Sequence, residues 1–293
     1  MNGRRLAMVT HRYEPESQYN VVVEDVELRI DGDTPWLATI YSPDAEGIFP
    51  GLIDVHGGAW NRGERANDEP MNTSLAESGI VVCAIDYRLA PEHPYPAQVA
   101  DINYATRWFK ENADRFHIDP TSVGAMGCSS GGHTVMLSAM KPEEPRYKSI
   151  PLAGSEDASL LYSICCWPVL DPHARYLYAQ GAGEDRLVAS TEAYFLNVDA
   201  MHEGNPQEIL DRGESVTLPP TLIIQGTNDS NVPLAIPQNF EKTFSSLGGD
   251  IHLEMFEGMP HGFGNMPSPQ SERALGLMKK FIAERIAQVL ISA

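Results

Sequence analysis

The sequence predicts an α/β fold in which a mostly parallel sheet is flanked by helices on both faces. Short apolar segments of strand length alternate along the chain with longer segments of helical periodicity, which is the pattern of parallel strands joined by crossover helices. The 293 residues are 42% hydrophobic and 21% charged, as expected for one large globular domain. We therefore predict a single domain over residues 1–293.

The first two strands are predicted to form an antiparallel hairpin. Residues 21–30 alternate between apolar and polar side chains from Val26 onward, as a half-exposed strand does. Residues 31–33 supply a turn, and residues 35–41 return as the second strand. Residues 1–19 precede the hairpin as an irregular or helical arm, and nothing in them indicates chemistry.

Further apolar segments are predicted to be strands inside the sheet, because strands covered on both faces are apolar almost throughout. Segments with one apolar face are predicted to be helices packed on that sheet. The predicted strands cover residues 51–55, 79–86, 122–126, 160–169, 218–226 and 251–256, and the predicted helices cover residues 98–116, 132–140, 234–248 and 270–291.

Residues 171–215 interrupt this alternation between two core strands. Aromatic side chains such as Tyr176 and Phe195 are scattered there among acidic residues and glycines without a strand period. An insertion of this length between core strands is more often functional than decorative. We interpret it as a helical lid that lines a substrate pocket, although its aromatic side chains would equally serve to pack it onto the domain.

The charge of the chain disfavours polyanionic partners. Its formal net charge of −19 repels nucleic acids and anionic membranes. No apolar segment reaches membrane-spanning length, and the N-terminal residues lack the apolar run of a signal peptide. We therefore expect no nucleic-acid partner, no membrane association and a cytoplasmic location.

The four cysteines indicate reduced core thiols rather than a metal site. Cys83, Cys128, Cys165 and Cys166 lie in apolar, strand-like segments without C-x-x-C spacing. Because no metal-ligand spacing is visible elsewhere, we expect neither a metal nor an organic cofactor. The sequence leaves the oligomeric state open, and a homodimer is compatible with it.

Residues 127–132, Gly-Cys-Ser-Ser-Gly-Gly, join a predicted strand to a predicted helix. Ser129 stands at the tip of the turn, with Gly127 and Gly131 two residues to either side. A Cβ at either glycine would crowd the strained backbone or block close packing of strand and helix. The Ser129 hydroxyl would then lie beside the amide of Ser130, at a helix start whose N–H groups lack partners. A nucleophile beside such an amide is typical of acyl transfer.

A second glycine-rich loop follows the strand over residues 51–55 and reads His56-Gly-Gly-Ala-Trp60. Consecutive glycines let a backbone approach a ligand and turn its N–H groups toward it. In an acyl-transfer enzyme the amides of Gly58 and Ala59 would donate to the carbonyl oxygen of the substrate. The loop would otherwise be a simple connection at the end of a strand, and His56 is expected to brace it.

Ser129, Asp229 and His261 each follow the carboxyl end of a predicted strand. In a parallel sheet those ends lie at one edge, so residues distant in sequence meet there. A serine needs an imidazole to take its proton, and the imidazole needs a carboxylate to fix its tautomer and stabilise its charged form. The sequence therefore predicts a Ser129–His261–Asp229 triad.

Other residues fit these roles less well. Asp171 follows the preceding strand and is an alternative acid. Ser130 is a poor nucleophile candidate because its flanking positions, Cys128 and Gly132, lack the glycine pair. His133 lies one turn into the helix and is expected to be a structural brace. The remaining candidates are expected to be surface or loop residues: His93, His173, His202 and His252.

These motifs together resemble the α/β-hydrolase fold. Residues 56–60, residues 86–97 (Asp-Tyr-Arg-Leu-Ala-Pro-Glu-His-Pro-Tyr-Pro-Ala) and residues 127–133 are similar to the hormone-sensitive-lipase-like carboxylesterases and to the related feruloyl and acetyl esterases. The resemblance spans residues 50–290. It departs at Ala59, where a third glycine is usual, and at Ser130, where alanine is more common.

The resemblance implies a serine carboxylesterase that hydrolyses small carboxylic esters through an acyl-enzyme intermediate. Ser129 would be the nucleophile, His261 the general base and then acid, and Asp229 the residue that orients the imidazole. The amide of Ser130 would join those of the glycine loop in an oxyanion hole. The expected partner is therefore a small-molecule ester.

Two other functions stay open at this point. Trp60 after the glycine loop is similar to the H-G-G-x-W arrangement of kynurenine formamidases, so an arylformamidase is an alternative. Some proteins of this fold are binding proteins that have lost a triad residue. The presence of all three triad residues argues against that second alternative.

Overall fold

The computed structural model describes residues 13–31 and 34–292, and its centre is one eight-stranded sheet. Its strands are β1 (Val21–Asp31), β2 (Thr34–Pro43), β3 (Phe49–Val55), β4 (Val81–Ile85), β5 (Ile118–Cys128), β6 (Ser163–Cys166), β7 (Thr221–Gly226) and β8 (Ile251–Phe256). They lie in the order β1-β2-β4-β3-β5-β6-β7-β8. The β1–β2 and β2–β4 pairs are antiparallel and the other pairs are parallel, which confirms the predicted fold class and the N-terminal hairpin.

Helices occupy the connections between the strands and the C-terminus. They are α1 (Glu69–Glu77), α2 (Ala97–Glu111), α3 (Ala113–Phe116), α4 (Ser130–Met140), α5 (Pro172–Ala182), α6 (Asp185–Phe195), α7 (Val198–Glu203), α8 (Pro206–Asp211), α9 (Ala235–Ser246) and α10 (Pro269–Ser292). The helices α5 to α8 form the insertion predicted over residues 171–215. None of the described helices combines the length and the hydrophobicity that a membrane span requires.

The two faces of the sheet are covered by different helices. Leu52 of β3 packs in one core with Leu75 of α1 and Met278 of α10. The next residue, Ile53, packs in another core with Ile102 of α2. Successive side chains of a strand point to opposite faces, so both faces of β3 are buried, which explains its apolar sequence.

Several elements differ from their predicted lengths, and two of these differences have a local cause. The helix predicted over residues 98–116 is interrupted at Asn112, whose side-chain amide donates to Trp108 O at 2.8 Å. This bond satisfies a carbonyl at the end of α2 and competes with continuation of the helix. The strand predicted over residues 160–169 is shorter, because Trp167 has a φ of 42° and Pro168 has no N–H to donate.

Part of the predicted N-terminal arm is described. Residues 13–19 form no helix or strand, and the Tyr13 hydroxyl shares a 2.9 Å hydrogen bond with Ser78. The ring of Tyr19 packs edge-on against Phe49. Residues 1–12 of the arm and residues 32–33 of the predicted turn lie outside the described residues.

The turn between β5 and α4 depends on close packing of the backbone. A Cβ at Gly131 would lie 2.1 Å from the carbonyl oxygen of Val55, and a Cβ at Gly127 would lie 2.5 Å from that of Gly131. Both distances are far below van der Waals contact. The first turn of α4 therefore lies directly against the end of β3, as predicted for these two glycines.

A pair of buried carboxyl groups lies between β3 and α1. Asp54 and Asp68 are each 1% exposed, and they accept hydrogen bonds from the side-chain amides of Asn72 at 2.7 Å and Asn265 at 2.8 Å. Burial and then the charge of Asp68 hold the pKa of Asp54 well above its usual value. Burial raises the pKa of Asp68 to about 6. Ionisation of either carboxyl group therefore lowers the stability of the folded protein.

Replacing Gly131 by alanine is expected to destabilise the protein by about 1–3 kcal/mol, because the added methyl group displaces α4 from β3. Urea unfolding monitored by circular dichroism measures the difference. Gly276→Ala in the exposed middle of α10 is the matched control, since a Cβ there meets no atom within 4 Å. That control should gain about 0.5–1 kcal/mol from its higher helix propensity. Equal effects of the two substitutions would contradict the packing argument.

Replacing Asp54 by asparagine is expected to raise Tm at pH 8 and to leave Tm unchanged near pH 4. The pKa of Asp54 is higher in the folded protein than in the unfolded chain. The free energy of unfolding is therefore highest below the pKa of the unfolded chain, and it decreases as the pH rises toward the pKa of the folded protein. Asparagine does not ionise, so the variant keeps its free energy of unfolding as the pH rises. Each kcal/mol of added stability raises Tm by roughly 2–4 °C in a large domain. Differential scanning calorimetry from pH 4 to pH 8 measures it. Asp114→Asn, at an exposed site, should show no pH-dependent difference; a gain for Asp54→Asn that is constant with pH would refute the prediction.

Candidate active site

Ser129 lies in a strained turn between β5 and α4. Its φ is 54° and its ψ is −115°, a conformation that non-glycine residues rarely adopt. The surrounding backbone holds it there, since Ser129 N donates to Cys166 O at 2.8 Å and Ser129 O accepts from Val169 N at 3.2 Å. These bonds anchor the turn to the segment around β6. The side chain of Ser129 is thereby fixed at the carboxyl edge of the sheet.

The structure brings Ser129, His261 and Asp229 into one line of hydrogen bonds. The Ser129 hydroxyl lies 3.0 Å from His261 Nε2, and His261 Nδ1 lies 2.8 Å from Asp229 Oδ2. The carboxylate accepts from Nδ1–H, so Nε2 is free to accept from the serine. Asp229 follows β7 and His261 follows β8, as the sequence predicted.

Asp229 is held by groups other than the histidine. Its Oδ1 accepts from the backbone N–H groups of Asn231 and Val232, both at 2.8 Å, and its Oδ2 accepts from Gln225 Nε2 at 2.9 Å. Its side chain is 1% exposed, against 22% for His261. These hydrogen bonds hold the carboxylate in one orientation.

Asp171, the alternative acid, lies in a different place. Its Oδ1 accepts from Ala174 N at 2.9 Å and from Asn205 Nδ2 at 2.8 Å. It therefore caps the start of α5 and binds the start of α8. The carboxylate that contacts His261 is that of Asp229.

The loop after β3 lies beside the serine turn. Gly58 and Ala59 have φ values of 126° and 51°, and a Cβ on Gly57 would lie 3.2 Å from Ser129 Cβ. Within the described part of the chain, no acceptor receives a hydrogen bond from the amides of Gly58, Ala59 or Ser130. Unpaired N–H groups beside a nucleophile fit the requirement for oxyanion binding.

Ser129 lines a small cavity of about 180 Å³. Ser129 and His261 line it together with the loop residues Gly58 and Ala59, and Ser130 is buried behind them. Most of the other lining residues are not predictable from the sequence, because neither their type nor their spacing forms a motif. They are Arg62, Asn67, Asp68, Trp167, Asn231 and Asn265.

The insertion contributes no residue to the described lining of this cavity. Tyr194, Phe195 and Met201 are buried in a core shared with α4 and α9, so these side chains pack the insertion onto the domain, while Tyr178 is exposed. This was the second of the two interpretations made from the sequence. The role of residues 171–215 as a lid stays a prediction.

His56 contacts the glycine loop and not the serine. Its ring stacks on Tyr87 with centroids 4.2 Å apart, and its Nδ1 donates to Gly57 O at 2.6 Å. The Tyr87 hydroxyl donates to His56 O at 2.7 Å. Burial lowers the pKa of His56 to about 4, so the ring is neutral at neutral pH. These contacts are those of a brace.

His133 and Trp60 join the glycine loop to the insertion. Trp60 Nε1 donates to His133 Nδ1 at 3.1 Å, and His133 Nε2 donates to Gly204 O at 2.8 Å. Burial lowers the pKa of His133 to about 4, which suits a neutral ring with one donor and one acceptor. The indole of Trp60 is fully buried and stacks on Tyr194 at 5.0 Å.

One cluster of the described residues has the composition of a metal site, and it lies apart from the serine. His173, His202 and Glu208 place one ligand atom each within 4.8 Å of one another. The His202 ring already hydrogen-bonds to the Glu208 carboxylate at 2.8 Å. None of the three lines the cavity beside Ser129.

Comparison with known proteins gives one matching family model and several relatives. The family model BD-FAE matches residues 38–165. The chain is 30% identical over 229 residues to esterase LipC of Mycobacterium tuberculosis, and 27% identical over 248 residues to the probable carboxylic ester hydrolase LipM of the same organism. These alignments cover 73% and 82% of this chain, but 53% and 56% of the relatives. The chain therefore spans about half the length of the relatives it matches.

Solved structures resemble the whole fold. Esterase B from Lactobacillus rhamnosis superimposes with a TM-score of 0.78 at 21% identity, covering 95% of this chain and 91% of that chain. Esterase 2 of Thermogutta terrifontis, in a structure phosphorylated by paraoxon, gives a TM-score of 0.70 at 23% identity, with coverages of 89% and 94%. At these identities the similarity concerns the fold.

Proposed function

We propose that this chain belongs to the α/β-hydrolases related to hormone-sensitive lipase, and that it is a serine carboxylesterase that hydrolyses small carboxylic esters. The observation that carries the proposal is the line of hydrogen bonds from Ser129 through His261 to Asp229. Sequence relatives named as esterases support an ester as the bond cleaved.

The proposed reaction proceeds through an acyl-enzyme. Ser129 Oγ attacks the carbonyl carbon while its proton passes to His261 Nε2, and the oxyanion accepts hydrogen bonds from the amides of Gly58, Ala59 and Ser130. The intermediate then collapses, the C–O bond to the alcohol breaks, and His261 protonates the departing oxygen. Water attacks the acyl group in the same way, which releases the carboxylic acid and restores the Ser129 hydroxyl.

Asp229 supports each step without exchanging a proton. It fixes the His261 tautomer in which Nε2 is the acceptor, and its negative charge stabilises the imidazolium that forms during the attack. The three other hydrogen bonds to its carboxylate keep it from rotating away. The proposed roles therefore need no reorganisation of the acid and base before substrate arrives.

The size of the cavity supports small substrates. A volume of about 180 Å³ is below the roughly 300–1,000 Å³ of sites that enclose drug-sized ligands. A short acyl chain fits such a space, while a long chain would have to leave it. We retain the proposal that residues 171–215 act as a lid, because Ser190 of α6 accepts a hydrogen bond at 3.0 Å from Asn61, the residue that follows the glycine loop.

The arylformamidase alternative was suggested by Trp60 after the glycine loop, and the environment of Trp60 does not support it. Trp60 is fully buried and is bonded to His133, and it does not line the cavity. Its place after the glycine loop is explained by packing. Parallel assays with N-formylkynurenine and phenyl acetate compare the two activities, and faster turnover of the formamide would reverse the preference.

We also propose a cytoplasmic location and leave a homodimer as a prediction. The four cysteines are buried and unpaired, which supports a reducing compartment. Light scattering of the purified protein tests the homodimer.

Paraoxon is expected to phosphorylate Ser129 and to abolish ester hydrolysis, because the activated hydroxyl attacks phosphorus as it attacks an ester. Intact-mass spectrometry and peptide mapping locate the adduct. Ser129→Ala should form no adduct and should lower kcat for p-nitrophenyl acetate by on the order of 10⁴–10⁶ with folding unchanged.

Ser130→Ala is the matched control for this experiment, because it removes the neighbouring hydroxyl and keeps the amide. It should still be phosphorylated at Ser129. Unchanged hydrolysis by Ser129→Ala would exclude the mechanism, and an unreactive wild-type protein would support the binding-protein alternative.

The kcat/KM for ester hydrolysis is expected to decrease as the acyl chain becomes longer than a few carbons. The measurement is kcat/KM for p-nitrophenyl esters of acids from two to twelve carbons, at concentrations below micelle formation. Rising activity along the series would contradict the restriction by the cavity.

A further inference from the structure

Arg62 stands at the rim of the cavity that holds the candidate nucleophile. It lines this cavity with Ser129 and His261, and its own side chain is exposed. The position of its backbone is constrained, since a Cβ on Gly58 would lie 2.0 Å from the carbonyl oxygen of Arg62. The loop that supplies the candidate oxyanion donors therefore also places a cation beside them.

A second arginine lies close to the first. Asn61 Nδ2 donates to Ser190 Oγ at 3.0 Å, and Ser190 Oγ donates to Arg186 O at 2.8 Å. This chain of bonds brings the first turn of α6 to the loop that carries Arg62. Burial, and to a smaller extent the charge of Arg186, lower the pKa of Arg62.

Neither arginine has a carboxylate partner within the described residues. Glu184 and Asp185 directly precede Arg186, yet no ion pair joins them to it. Seven other described arginines pair with carboxylates: Arg29, Arg65, Arg88, Arg146, Arg212, Arg273 and Arg285. Three more described arginines form no ion pair but have other partners, since Arg107 and Arg175 donate hydrogen bonds and Arg115 lies over the Phe116 ring. In a chain with 40 acidic and 21 basic residues, two adjacent arginines without an acid are an unusual arrangement.

The other charged group of the cavity lining does not neutralise Arg62. Asp68 is 1% exposed, and its carboxyl accepts from the side chain of Asn265. The exposed charge that the rim offers to a substrate is therefore positive. An anionic group would gain from both guanidinium groups and would relieve their mutual repulsion.

We propose that Arg62 and Arg186 form an anion subsite, and that the preferred substrates are esters that carry a carboxylate. This inference rests on the proposed esterase function. The ester carbonyl lies at Ser129, and the carboxylate of the same molecule reaches the rim and binds the Arg62 guanidinium. Arg186 strengthens the field and contacts the carboxylate when α6 and the loop are held together by the Asn61–Ser190 bond.

The kinetic test compares kcat/KM for matched esters that differ in charge. One pair, p-acetoxybenzoate and its methyl ester, carries the charge in the alcohol portion. The other pair, monophenyl adipate and phenyl hexanoate, carries it in the acyl portion. In at least one pair, Arg62→Gln is expected to lower the anionic-to-neutral ratio of kcat/KM by about 2- to 5-fold, the range of a solvent-exposed ion pair. Arg62→Lys should restore part of it, and added salt should weaken the wild-type preference.

Arg212→Gln is the control, since it removes one positive charge just after the C-terminal end of α8, at a site outside the cavity. It should leave the ratio unchanged for both pairs. The ratio is internal to each preparation, so loss of folded protein in a variant does not alter it. If Arg62→Gln leaves both ratios at the wild-type value while all esters are hydrolysed, the subsite is refuted and the esterase function stands.

Direct binding separates failure of the subsite from failure of the esterase function. Isothermal titration calorimetry with p-acetamidobenzoate and its methyl ester should give tighter binding of the anion to the wild type, by about 2- to 5-fold, and no such preference for Arg62→Gln. This result in a protein that hydrolyses none of the esters would overturn the esterase function and support the subsite. Equal binding of both compounds to the wild type would overturn the subsite.

Discussion

The contact between the first turn of α4 and the end of β3 is the constraint on which the candidate site depends. It exists because Gly131 has no side chain to separate its backbone from Val55. The close approach sets the loop that leaves β3 beside Ser129, whose positive φ is also held by backbone hydrogen bonds to Cys166 and Val169. The candidate nucleophile and the candidate oxyanion donors are therefore positioned by one packing interaction. Strain of this kind persists only where the surrounding structure over-determines it.

Hydrogen bonds and burial differ among the ionisable side chains near the site, and these differences set the role of each. Asp229 is buried but accepts three hydrogen bonds besides that of His261, so its carboxylate oxygens have local donors. His56 and His133 are buried without a carboxylate in contact, and burial favours their neutral forms. Three histidines near the serine thus differ in role through their environments. The buried pair Asp54 and Asp68 has no comparable stabilisation, and it costs the fold stability as pH rises.

The insertion is joined to the active-site loops by specific contacts. Trp60 stacks on Tyr194 of α6, and His133 of α4 donates to Gly204 between α7 and α8. Asn61 bonds to Ser190 on the same helix as Tyr194. A change in the position of α6 would therefore also move the glycine loop and Arg62, which follows it. The same connection would let the insertion influence substrate choice without lining the cavity itself.

The sequence by itself determined the class of fold, the strand hairpin and the places of Ser129 and His261 after the carboxyl ends of strands, because each has a local cause. Buried strands must be apolar, the serine turn must have glycines, and residues after parallel strands must meet at one edge. Only the tertiary structure decided that Asp229 and not Asp171 contacts His261, that Trp60 is packed away from the cavity, and that Arg62 stands at its rim. These facts depend on the angles at which loops leave the sheet. Such angles come from contacts between distant segments, which leave no periodic trace in the chain.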